Sequence, residues 1–226
     1  MPTAETDATA ALRPLPPAAT RAFGLVAALA YTTVVIVGGL ITPGYSHTAQ
    51  PVSSLYQAGS VNGTAIALAF FGYNLFVIAF GFVMGGYAHA LGGRRSRAGI
   101  AAGIGLILTG IAGACDDLFP QDPIGAPVTT SGGLHIAFAA LASLATLVTV
   151  ALAVSWLLAR MDRRRFALYS AASFGLILIS GPITAAQTAA SSPQMGLWER
   201  LTIFTFIVWM GAFSAVLTFG RAPRDR

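Results

Sequence analysis

The sequence predicts an all-α, polytopic membrane bundle of six transmembrane helices, with N and C termini in the cytoplasm. Three observations predict it. Hydrophobic residues make up 55% of the 226-residue chain and charged residues only 9%, against about 25% charged in a soluble domain. The apolar residues fall into six long stretches, each near the roughly 20 residues a helix needs to cross hydrocarbon. All thirteen positive residues are arginine, and they are unevenly shared between alternate connections. Arg13 and Arg21, then Arg94, Arg95 and Arg97, then Arg160, Arg163, Arg164 and Arg165, then Arg221, Arg224 and Arg226 fall on one side. Arg200 alone falls on the other. Positive residues beside spans are retained in the cytoplasm, so the asymmetry sets the orientation.

Each element follows in order. Residues 1–20 are rich in Ala, Thr and Pro. They carry too little apolar surface to order themselves and read as a disordered cytoplasmic tail. Span 1 covers 21–42. Its apolar run is longer than a signal-peptide core and five more spans follow, so it reads as uncleaved. Span 2 covers 64–90 and span 3 covers 98–115, joined by the short turn GGRRSR at 92–97. Span 4 covers 132–159 and span 5 covers 166–186, joined by RMDRRR at 160–165. Both turns are short enough to make their spans antiparallel neighbours. Span 6 covers 195–219, and 220–226 is a second cytoplasmic tail. The connections 43–63, 116–131 and 187–194 each carry proline and short polar residues, as loops do. They face outward.

Small and polar residues repeat along the spans at helical spacing. Gly99, Gly103, Gly110 and Gly113 lie on one face of span 3, and the next position on that face is Asp117. Span 4 carries His135, Ala139, Ala142, Thr146 and Thr149. Small residues let membrane helices approach closely, so these stripes face the bundle interior as packing surfaces or as a polar path. Pro182 interrupts span 5 and removes one backbone hydrogen bond. The two three-span halves show no internal repeat of the transporter kind.

Composition also excludes several classes. The net charge of +5 is split among helix ends, where arginine meets anionic head groups, so nucleic acid is not a partner; membrane lipids are. One cysteine, Cys115, excludes an internal disulfide and a cysteine-rich metal centre. No cofactor motif is present.

The residues with chemistry collect at the outward ends. They are His47 and Ser53 in the first loop, Asp116 and Asp117 after span 3, His135 at the start of span 4, and Glu199 and Arg200 at the start of span 6. Charge near hydrocarbon is unfavourable and needs a reason. His135 sits just after a helix cap expected at Thr130 or Ser131. Adjacent Asp116 and Asp117 must point in different directions, and only Asp117 continues the glycine face. Arg200 is expected to pair with Asp117 or Asp116, or to hold an anion with its guanidinium fork.

Four segments resemble the family of prokaryotic integral membrane proteins known as domain of unknown function 998. They are YSHTAQPVSSLYQAG (45–59), DLFPQDP (117–123), GLHIAFA (133–139) and GLWERLTIF (196–204), in that order across about 21–219. The resemblance implies the six-span architecture and names no reaction. It implies that His47, Ser53, Asp117, Phe119, Pro120, Asp122, His135, Glu199 and Arg200 lie on one side of the membrane.

The resulting expectation is a multi-pass protein of a prokaryotic cytoplasmic membrane with an outward-facing polar pocket. Spans 3, 4 and 6 wall it and the first loop covers it. Asp117, His135, Glu199 and Arg200, with His47 and Ser53, are the candidate residues for a small molecule or lipid head group. No catalytic residue is assigned. One alternative is a membrane-embedded hydrolase, metal-dependent through His47, Asp117 and His135 or built on Ser53 or Ser54. The other is a structural or interaction protein whose polar groups only tie helices together.

Overall fold

The computed structural model describes residues 14–93, 95–160 and 163–220. Arg13, Arg94 and the arginines after 220 lie outside the described residues, as do positions 1–13 of the tail expected over 1–20 and 221–226 of the tail expected over 220–226. The described chain is helical, without a strand. A short α1 (Ala18–Arg21) leads into α2 (Phe23–Ile41). A 3-10 turn, Val52–Tyr56, lies in the first long loop. Then come α3 (Gly63–Leu91), α4 (Ser96–Leu118), α5 (Thr130–Leu158), α6 (Arg164–Ala189) and α7 (Met195–Phe219). Six helices are long and apolar enough to cross a membrane, the first being Ala18–Ile41. The shortest of them has 23 residues, about 35 Å at 1.5 Å per residue. That clears a hydrocarbon core of about 30 Å.

Segment 14–20, expected to continue the disordered tail, is instead laid against the bundle. Leu15 packs on the core. Arg21 Nε donates to the Pro16 carbonyl at 2.7 Å, and Ser214 Oγ donates to the Arg21 carbonyl at 2.5 Å. Prolines that disfavour a helix here hold an extended approach that one arginine can fasten.

The helices pack in chain order as a closed ring, with α7 returning to α2. Polarity is inverted relative to a water-soluble bundle. Leu40, Leu68, Phe82 and Ile179 are exposed on the outside, while Asn74, Thr109, Thr149, Ser170, Ser173 and Ser214 are buried within. Lipid is as apolar as leucine, so small and polar groups gain more by meeting one another than leucine does. Three of the inward hydroxyls fold back on their own helices: Thr109 donates to the Gly105 carbonyl, Ser170 to the Phe166 carbonyl and Ser173 to the Tyr169 carbonyl.

The ends of the ring differ. Toward the arginine-rich turns, the fully buried rings of Trp156, Trp209, Phe80 and Phe213 fill the interior. Trp209 and Phe213 have ring centroids 5.5 Å apart, and Trp209 Nε1 donates to Ser170 Oγ at 2.9 Å. Only a space of about 10 Å³ remains there, room for a single water. The other end is hollow.

Candidate functional site

The hollow end is built outward from α4. Glycines bring α4 against α3: a Cβ at Gly103 would lie 2.6 Å from the Gly85 nitrogen, and one at Gly110 would lie 2.9 Å from the Asn74 carbonyl. Gly113 leaves the gap that the Asn74 amide fills. That amide donates through Nδ2 to Asp117 Oδ2 at 2.8 Å. The glycine face therefore does deliver Asp117 to the interior, where it is buried. The helix runs three residues past the expected end at 115, so both acidic residues sit in its last turn.

Asp116 turns about 100° from its neighbour and meets α5. Its Oδ2 accepts from Tyr56 Oη at 3.1 Å, and its Oδ1 lies 3.1 Å from His135 Nδ1. Nδ1 is directed at the Phe119 carbonyl, 3.0 Å away, so Oδ1 has the charge contact without a hydrogen bond. Because that carbonyl only accepts, the proton belongs on Nδ1. His135 is 5% exposed, and its Nε2 has no hydrogen-bond partner among the described residues. Asp116, expected with Asp117 as a partner for Arg200, is instead the histidine's neighbour.

The cap of α5 is Thr129, one residue before the expected pair. Its Oγ1 accepts from the Gly132 nitrogen at 3.2 Å. Asp122 holds this cap, accepting from the Thr129 nitrogen and from its Oγ1, both at 2.8 Å. Asp122 is occupied as a structural carboxylate, and Ser131 Oγ donates to the Pro120 carbonyl.

The first loop forms a roof. Glu199 Oε2 accepts from the Val52 nitrogen at 2.6 Å. Ser53 Oγ donates to Gln121 Oε1 at 2.6 Å, while Gln121 Nε2 donates to Ser54 Oγ at 3.0 Å. Arg200 forms no pair with Asp116 or Asp117. It donates to the Gln50 and Gly196 carbonyls at 2.9 Å and to Tyr45 Oη. These partners lie on the loop and on its own helix, so the guanidinium fastens the roof. Burial raises Tyr45 to about 12, partly offset by the Arg200 charge. Burial also raises Tyr56, helped by the Asp116 charge. His47 stands edge-on to Tyr45, ring centroids 5.1 Å apart, against Gly39. Partial burial first, and then the Arg200 charge, lower its pKa.

Between roof and ring lies a cavity of about 640 Å³, within the usual size for small-molecule sites of about 300–1,000 Å³. Asn74, Asp116, Asp117, His135 and Glu199 line its polar end, with Ser53 and Tyr56 from the roof. Tyr31, Phe70 and Tyr73 add an aromatic wall. Neither Arg200 nor His47 lines it. Helices α2, α3 and α6 wall it as well as α4, α5 and α7, so spans 1, 2 and 5 join the three expected. Toward lipid, Ser143, Leu144, Leu178 and Pro182 both line the cavity and lie exposed on the outer surface. The cavity opens sideways between α5 and α6.

A family model described as "Protein of unknown function (DUF998)" matches residues 25–216, which is most of the chain. The chain belongs to the DUF998 family. No curated protein and no solved structure matches it. In this DUF998 protein, Asp117, His135, Glu199 and Ser53 meet at one cavity, while His47 and Arg200 belong to its roof. Asn74, Tyr56, Gln121 and Thr202 were missed as site residues. Asn74 carried a signal, since Asn74, Gly81 and Gly85 recur at helical spacing along α3; Gln121 and Tyr56 carried none beyond lying in polar loops.

The arrangement limits its chemistry. His135 with Asp116 resembles a base and its orienting acid, but Ser53 and Ser54 are bonded to Gln121, so neither engages the histidine as a nucleophile must. Among the described residues, no three His, Cys, Asp or Glu side chains converge as metal ligands, and His47 stands apart from Asp117 and His135.

Proposed function

We propose that this protein binds a small molecule or a lipid head group in the cavity between the roof and the ring. The carrying observation is His135. It is 5% exposed, anchored through Nδ1, and leaves Nε2 unpartnered at the cavity. Asp117 is the same case, with Oδ2 taken by Asn74 and Oδ1 without a partner among the described residues. A group that only ties helices together gains from using all its polar atoms, because an unpaired buried one costs about 1–3 kcal/mol. Two groups with one working atom toward the protein and one toward the cavity fit ligand binding better. The arginine asymmetry supports placing the cavity on the outward side of a cytoplasmic membrane.

The experiment is native mass spectrometry of the full chain released from mild detergent, beside His135→Ala. The expected result is a stoichiometric organic mass on the wild type that the variant loses. A bare mass in both would favour the structural reading.

A further inference from the structure

We infer that the ligand is an organic ammonium ion carrying a hydrocarbon chain, its cationic head at the carboxylates and its chain leaving between α5 and α6. This rests on the cavity being a binding site and names what it takes.

The head group follows from charge. Asp116, Asp117 and Glu199 line the cavity, whereas no arginine among the described residues does and the chain has no lysine. Arg200, next to Glu199 in the chain, spends its terminal nitrogens on the roof through Gln50, Gly196 and Tyr45; its Nε is buried without a hydrogen-bond partner, but the residue does not line the cavity. A phosphate or carboxylate would therefore meet three acids and no cationic side chain among those that line the cavity. Two of the acids also retain an oxygen that makes no hydrogen bond to a described residue and is not sealed within the protein, Asp117 Oδ1 and Glu199 Oε1, while Asp116 Oδ1 is turned to His135 Nδ1 at 3.1 Å. Carboxylates in an apolar surrounding are unfavourable unless paired, and a bound cation supplies the missing partner.

The aromatic wall points the same way. Tyr31 packs on Phe70 and Tyr73 with ring centroids 5.2 and 4.9 Å apart. Tyr56 continues the wall, 5.5 Å from Phe70. All four rings line the cavity. Ring faces attract cations, and quaternary ammonium groups are held by such walls.

The chain follows from the opening. Leu144 is 60% and Leu178 is 47% exposed, yet both line the cavity. Pro182 lacks the N–H that would bond the Leu178 carbonyl, so α6 is locally weakened at this seam. A polar end facing carboxylates and an apolar side facing lipid match an amphiphile.

The test measures thermal-unfolding shifts of the full chain in neutral maltoside micelles. The probes are tetramethylammonium, decyltrimethylammonium, decyl sulfate and decanol. Decyltrimethylammonium is expected to give a saturable stabilisation that Asp117→Asn weakens by about tenfold or more. Asp116→Asn is the second variant should Asp117→Asn fail to fold. Affinity should rise by up to about fourfold per methylene between short and long chains. Leu178→Trp should weaken the decyl probe at least about tenfold more than tetramethylammonium. Decanol or decyl sulfate binding as well as the ammonium, untouched by Asp117→Asn, would overturn the cationic head while leaving the cavity reading standing. Tetramethylammonium binding as tightly as its decyl homologue would overturn the chain and point to a soluble cation. No saturable shift from any probe, with a bare native mass, would remove the cavity reading as well.

Discussion

Two seams of the ring are packed in opposite ways. Between α3 and α4, backbone meets backbone: a Cβ at Gly81 would lie 2.7 Å from the Gly103 carbonyl oxygen, and one at Gly99 would lie 2.6 Å from the Ala88 Cβ. Between α5 and α6, the cavity reaches the outer surface, and Gly175 and Gly181 of α6 have nothing within 4 Å of where a Cβ would stand. The difference teaches where rigidity and access are placed. The tight seam sets the depth and rotation of α4, and so aims Asp116 and Asp117. The loose seam leaves room beside them. The roof reaches from Gln121, just after α4, to Glu199 and Arg200 on α7.

The comparison breaks most readily at the tight seam. Gly103→Leu is expected to abolish folding, because neither backbone can retreat. Gly103→Ala should cost about 1–3 kcal/mol through overpacking. Yield of monodisperse protein and its unfolding midpoint check both; a stable Gly103→Leu protein would disprove the contrast. Next in size is the roof. Arg200→Gln removes donors from the Gln50 and Gly196 carbonyls and from Tyr45. It should cost about 2–3 kcal/mol as charge-assisted bonds are lost, and proteolysis of the 43–62 loop should quicken.

A smaller effect appears with pH. Tyr45 in the folded protein is raised to about 12, above its ordinary value near 10. Roof stability from this group is therefore fully present below pH 10 and is lost as pH rises through about 12. Tyrosinate absorbance compared with Tyr45→Phe should show one phenol titrating late, and Arg200→Gln should shift its midpoint. The smallest effect is Gly175→Ala on α6. Added helix preference with no steric penalty should stabilise by up to about 1 kcal/mol. A destabilisation as large as that of Gly103→Ala would mean that the two seams are alike.

Much of this was legible in one dimension. Span number follows from apolar length, and the inward stripe of α4 follows from glycine every third or fourth residue, which reaches Asp117 by helical geometry alone. The roof was not legible. Arg200 was expected to seek a carboxylate because opposite charges attract, but the loop brings two carbonyls and Tyr45 to it first. Asp116 leaves the glycine face, and nothing in the sequence says what it meets; the same 100° turn carries it to His135 once α5 is placed beside α4. The cap at Thr129 was missed because Asp122, seven residues earlier in the chain, holds it.

The sequence by itself therefore determined the six apolar helices, their inward small-residue stripes and the helix ends at which Asp117 and His135 sit. Those depend on local periodicity and on the free energy of apolar residues in lipid. Only the tertiary structure decided which acid faces His135, that Arg200 belongs to the roof, and that a cavity opens between α5 and α6. Those depend on the rotation of each helix about its axis and on the path of loops between distant residues, which no local pattern encodes.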